Sequence, residues 1–237
     1  LQRYMNAKYT SDSEFNEIMG FSPILAQSIP ESVVELSLNY LCQELPDDQV
    51  ARENKEHQKQ IEWRKAILAK PESERTVDEQ RFIDFASPFH LSSSFSSHDW
   101  DRLCIQDDYK SFSPPSPLRE PFRSLFLHSP ENALNLLRKL CNHAMSAWRQ
   151  MHKHSHNRVA TPLPLKLSFP WGKQIFWGFD REYVWSRGMW APDVIAAGFM
   201  ALEEWCFSEL DRGKSAEELI RLVVEGNECI RVLGIAS

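Results

Sequence analysis

The sequence predicts a mainly α fold of helical hairpins, with one small antiparallel β insert and one long irregular loop. Three observations lead there. Apolar residues recur at three- and four-residue spacing through much of residues 12–85 and 130–237. Residues 163–187 alternate apolar and polar instead, between turns that carry Pro and Gly. Residues 86–129 follow neither period and are dense in Ser and Pro. The expected parts are therefore helical hairpins and a charged helix (1–85), an aromatic-anchored loop (86–129) and a helical region with the β insert (130–237). Hairpins of similar size at both ends would suit stacking as an α-solenoid.

Residues 12–45 read as two helices. The second is expected to start after Ser28, with Pro30 at its first position and Glu31 completing a capping box. Val33, Val34, Leu38, Leu41, Cys42 and Leu45 share one stripe, and Pro46 should close it. Residues 47–70 are rich in charge and good helix formers, which predicts a long helix with a solvated first half. Its apolar residues crowd at the end: Ile61, Trp63, Ala66, Ile67 and Leu68. Glu53 and His57 lie one turn apart on its polar face. Thr76 with Glu79 caps a shorter helix ending near Phe85.

In the Ser/Pro loop, Phe89, Phe95, Trp100, Tyr109, Phe112, Phe122 and Phe126 are interleaved as anchors. Helical turns are expected near Trp100–Leu103 and Phe122–Phe126. The clearest amphipathic helix spans 131–152, after Ser129 as N-cap and Pro130 as N1. Leu134, Leu137, Cys141, Ala144, Met145, Trp148 and Met151 line one face. The insert follows. Leu165, Leu167 and Phe169 form one strand, Pro170–Trp171–Gly172 turns, Ile175–Trp177 returns, and Tyr183–Trp185 reads as a third strand. Helices at Ala191–Leu210, Ala216–Glu225 and Glu228–Ala236 complete the chain. It begins with Leu1 and stops inside an apolar helix, so both ends are expected to be cut from something longer.

Composition bounds the function. Across 237 residues the net charge is -6, which lacks the overall basic field that holds nucleic acid. No apolar run approaches the ~20 residues that span a bilayer. Five scattered cysteines without a CxxC pair are expected to be reduced, mostly buried thiols in a cytoplasmic protein.

Several motifs have chemistry to offer. Gly213–Lys214–Ser215 ends like a phosphate-binding loop, but Ser208 stands where the earlier glycine belongs. A helix stop at Gly213 and a new cap at Ser215, paired with Glu218, account for it. His152, His154 and His156, beside His143 and His128, could share a metal and serve a hydrolase or nuclease. The run follows a helix, however, lacks a neighbouring acid or Cys and suits the dipole of a helix C-terminus, so no metal is expected. Cys141 and His143 point apart at i and i+2 on a helix. Glu203 and Glu204, with Asp211 below, diverge for the same reason. Trp171, Trp177 and Trp185, with Lys173, Arg181 and Arg187, form the best candidate partner-binding surface. Such a set can stack bases or grip a protein, or it can close a small aromatic core.

The last stretch, Met200–Ser237, carries Ala201–Leu202–Glu203, Trp205, Gly213, Asn227 and Leu233–Gly234. It resembles a helical region beyond the NTPase domain in large bacterial STAND-like P-loop NTPases, several of which serve in anti-phage defence. The resemblance covers under a sixth of the chain and brings no catalytic motif. It implies a non-catalytic scaffold or sensor segment without a cofactor. Its partners would be the rest of the same polypeptide and a protein trigger, with any oligomer formed through the parent.

Overall fold

The computed structural model describes residues 11–85, 95–106, 112–154, 163–185 and 191–235. Within them the chain is mainly α, with one two-stranded antiparallel sheet. The N-terminal part holds three helices where two were expected: α1 (Asp12–Met19), α2 (Ser22–Ser28) and α3 (Pro30–Leu41). A reciprocal cap starts α1. The Glu14 amide donates to Ser11 Oγ, and the Ser11 amide to Glu14 Oε2 at 3.0 Å. Pro30 does open α3, but Ile29 is its N-cap and no side chain caps it, so the Ser28–Glu31 box does not form. Ser28 is still in the last turn of α2, whose closing bond runs from the Ile29 amide to the Leu25 carbonyl.

α3 stops at Leu41, with Cys42 already extended, so Cys42 and Leu45 leave the expected stripe and Pro46 does not close it. Pro46 instead begins α4 (Pro46–Leu68). The first helical position suits proline, because its missing N–H would have no partner there. Of this long charged helix only Pro46 and Ile67 are buried. Trp63 is 47% exposed, with its ring 4.2 Å from that of Phe82 on α5 (Val77–Phe85). Thr76 and Glu79 cap α5 reciprocally, as expected.

In the expected loop, α6 (Ser97–Arg102) ends at Leu103 and Cys104, both in the left-handed region. Ile105 then pairs with Cys42, which fastens the segment to the end of α3. Phe112, Phe122 and Phe126 are buried anchors, and Phe95 and Trp100 pack against the core. The Arg119 guanidinium donates to the carbonyls of Ser113 and Pro114. Phe89 and Tyr109 lie outside the described residues.

Two short steps later come α7 (Phe122–His128) and α8 (Pro130–His154). All seven residues of the expected α8 stripe are buried, joined by Ala133, Leu136, Leu140 and Ala147. This wide apolar face is covered by α3, α4, α7 and the later α10 (Asp193–Asp211). The helices therefore gather around one central helix, and α2 packs on α7 across a long stretch of sequence. A solenoid, whose repeats touch only their neighbours, is not the arrangement formed. On α10 the small residues Ala196, Ala197 and Gly198 let the helix sit close.

The insert pairs β1 (Leu165–Phe169) with β2 (Gly172–Phe176), Leu165 opposite Phe176 and Phe169 opposite Gly172. The expected third strand is instead a single helical turn, α9 (Asp180–Tyr183). The Glu182 carboxylate accepts the Phe179 amide at 2.6 Å and so caps a turn rather than extending a strand. A two-stranded hairpin needs outside support. Here Trp177, just past β2, bonds Glu228 and Ile230 through its backbone at 2.7 and 2.9 Å.

That pairing also shortens the final helix. Residues 228–230 bridge to Trp177, so α12 runs only over Arg231–Ile235. Before it, α11 (Ala216–Val224) starts at Ser215, whose Oγ accepts the Glu218 amide. The stop before α11 is a Schellman turn. The Lys214 amide bonds the Glu209 carbonyl and the Gly213 amide the Leu210 carbonyl, both at 2.9 Å, with Gly213 at φ +89°.

Candidate functional site

The aromatic insert does not present its tryptophans on one face. Trp171, at the hairpin turn, stacks on Phe169 at 4.8 Å and donates its indole N–H to Gln174 Oε1. Gln174 in turn donates to the Val224 carbonyl, tying the hairpin to α11. Trp177 lies under the Arg149 guanidinium, 4.9 Å from the ring centroid. Trp185 is fully buried, so it belongs to the core and not to an exposed platform. Its indole N–H has no acceptor among the described residues. Lys173 and Arg181 are exposed; Arg187 lies outside the described residues. Across the groove from Trp171 stand Glu217, Glu218 and Arg221. Two carboxylates facing an indole repel a phosphate backbone.

The histidines go to separate places. The helix persists through His154, so His152 and His154 sit at i and i+2 and face apart. His152 is enclosed by Trp148, Trp100 and Phe179, its ring centroid 4.4, 4.7 and 6.3 Å from theirs. Desolvation there lowers its pKa. His154 reaches Asp47 at 2.5 Å, and Lys153 reaches the same carboxylate at 3.0 Å. These bonds, that of His154 first, hold the Asp47 carboxyl below its ordinary pKa. His143 bonds the Cys104 carbonyl at 3.2 Å, and burial lowers its pKa too. His128 contacts Gln27. His156 lies outside the described residues. Among the described residues no three His, Cys, Asp or Glu side chains gather as a metal site.

Cys141 is fully buried, and burial drives its thiol pKa well up. Its thiol hydrogen-bonds to Cys229 while the His143 imidazole bonds the Cys104 carbonyl, so Cys141 and His143 make no thiol–imidazole pair. All five cysteines are free thiols. Burial pushes Cys42, Cys104 and Cys206 up to about 11. Such thiols are poor nucleophiles near neutral pH. Glu203 and Glu204 line two different grooves, Glu203 beside α11 and Glu204 beside α7. Glu53 lies exposed on the polar side of α4.

A surface that the sequence did not single out lies between α10 and α11. Phe207, Leu210, Leu219, Ile220 and Val223, with Ile235 of α12, line a groove of about 360 Å³. Phe207 is 62% exposed and Leu210 41%. One signal was present. Apolar residues from Val194 to Phe207 surround α10 on all sides, more than one buried face requires.

No family model, curated protein or solved structure matches this chain. Among the described residues no helix is long and apolar enough to cross a membrane.

Proposed function

We propose that this chain is a non-catalytic scaffold or sensor segment of a larger bacterial, cytoplasmic ATP-binding protein of the anti-phage type, and that it works by binding protein partners. The observation that carries this reading is a division of labour among side chains. Those able to catalyse are engaged in packing: His152 among aromatic rings, His154 on Asp47, His143 on a carbonyl and Cys141 on Cys229. Phe207 and Leu210, by contrast, are large apolar side chains left exposed on a helix. Exposed apolar surface of this kind marks sites of association. The ATP-binding parent rests on the resemblance of Met200–Ser237 alone.

The reading frame around the segment tests the parent. A complete G-x-x-x-x-G-K-[ST] motif after an apolar strand upstream is expected. A start codon just before Leu1 with a stop just after Ser237 would overturn it. In the parent, His152→Ala and His154→Ala should leave nucleotide turnover nearly unchanged. A loss of the ~100-fold or more that a general acid or base supplies, at unchanged melting temperature, would place catalysis in this segment.

A further inference from the structure

We infer that the groove between α10 and α11 is the docking site for a basic amphipathic helix of a partner protein. This names the partner chemistry of the interaction segment proposed above and rests on that reading.

The shape comes first. Glu203, Cys206, Phe207 and Leu210 on α10 face Ala216, Leu219, Ile220 and Val223 on α11 across the groove. Each row follows the helical spacing i, i+3, i+4, i+7 and spans seven residue steps, roughly 10 Å or two turns. The Schellman stop at Gly213 makes the two helices part rather than pack along their lengths. Leu219 and Val223 form a buried floor, while Phe207 and Leu210 stand exposed at the rim. Two helices thus turn apolar rows toward a space that neither fills. A third helix with anchors at i, i+3 or i+4, and i+7 fits such a space.

Charge selects the kind of helix. Residues 203–225 hold seven carboxylates against three cations, in a chain whose net charge is -6. All three cations are neutralised locally. Arg212 pairs with Glu209, Lys214 with Glu209 and Glu218, and Arg221 with Glu225. Glu203, which lines the groove itself, has no ion pair among the described residues, nor has Asp211 next to the groove residue Leu210. A partner helix that flanks its apolar stripe with Lys and Arg would meet this field favourably. A second copy of the chain would bring like charges together, which disfavours self-docking on this face.

The test uses the whole chain and two 20-residue helical probe peptides. Both carry the same leucine stripe; one is flanked by lysines and the other by glutamates. Affinity is read by fluorescence anisotropy and stoichiometry by sedimentation. The lysine peptide is expected to bind one to one, at least about ten-fold tighter than the glutamate peptide. Phe207→Ser should weaken it about ten-fold or more, and Glu203→Lys several-fold. Ile24→Ser, an equally exposed site on α2, should change nothing. Both groove positions are on the surface, so unchanged melting curves would show the variants fold. Equal binding of the two peptides, or equal loss from Ile24→Ser and Phe207→Ser, would overturn the inference. So would a dimer of the free chain that Phe207→Ser dissolves, because the groove would then belong to a second copy. If the lysine peptide does not bind while the upstream NTPase motif is present, the groove assignment falls and the scaffold reading stands.

Discussion

The Arg149 guanidinium lies over the Trp177 indole, 4.9 Å from the ring centroid, and reaches Glu228 at 3.3 Å. One side chain of the central helix thus clamps both partners of the bridge that anchors the hairpin. Trp177 bonds the backbone of Glu228 and Ile230 directly. Its ring is therefore structural in this arrangement. Trp177→Ala should cost about 1–3 kcal/mol of stability, read from denaturant unfolding. In a double-mutant cycle, Arg149→Ala and Trp177→Ala should couple by about 0.5–1 kcal/mol. Additive losses would mean that the clamp does not hold in solution.

The aromatic enclosure of His152 gives the chain an acid sensitivity. Burial holds the pKa values of His152 and His143 below the ordinary imidazole value. Below about pH 6.5 the unfolded chain takes up protons that these folded sites refuse. Stability is thus full above that pH and falls as pH drops toward the folded values. His152→Phe, which keeps a ring among the rings, should lose less melting temperature between pH 7.5 and 5.5 than the parent chain. Parallel losses in both would show that His152 does not titrate in this way.

Why some of this was legible in the sequence, and some not, follows from how local each signal is. The α8 stripe, Leu134 to Met151, repeats over about five turns, and no packing alternative hides it. Gly213 and Ser215 mark a stop and a start through their own backbone chemistry. The third strand failed because one bond, from the Phe179 amide to Glu182, favours a helical turn that alternation does not encode. The Ser28 cap failed because α2 still holds that residue when Pro30 opens the next helix. Surface assignment was harder again. Trp185 and Phe207 are both large and apolar, yet one is enclosed and the other exposed. Only the helices packed around each decide that.

Asp47 joins the start of α4 to the end of α8. His154 and Lys153 both reach its carboxylate, and its own amide donates to Gln150 Oε1. Because its folded pKa is lowered, the contribution to stability is present above the ordinary carboxylate value, near 3.9. It is lost as pH falls through the folded value. Asp47→Asn should therefore unfold at lower urea than the parent chain at pH 7, and the gap should narrow as pH falls below about 3.9. The site is partly exposed, so added salt should narrow the gap at pH 7. A gap that does not change with pH would assign the effect to the helix start instead of the ion pairs.

Gly198 sits where α10 crosses α7 and α8. A Cβ there would lie 2.8 Å from Leu137 Cδ1 and 2.8 Å from Phe122 Cζ. Two effects oppose each other in Gly198→Ala. Helix preference favours alanine by about 1 kcal/mol. Overpacking a filled core costs about 1–3 kcal/mol. The clash decides the sign, because Phe122 and Leu137 are both buried and neither can withdraw into solvent. The expected result is a net loss of about 1 kcal/mol or more, a fall of roughly 2–4 °C in Tm for each kcal/mol at this chain length. Leu137→Val in the same chain should recover part of that loss, since it shortens the side chain that the new methyl meets. A higher Tm for Gly198→Ala would mean that α10 does not approach the central helix this closely.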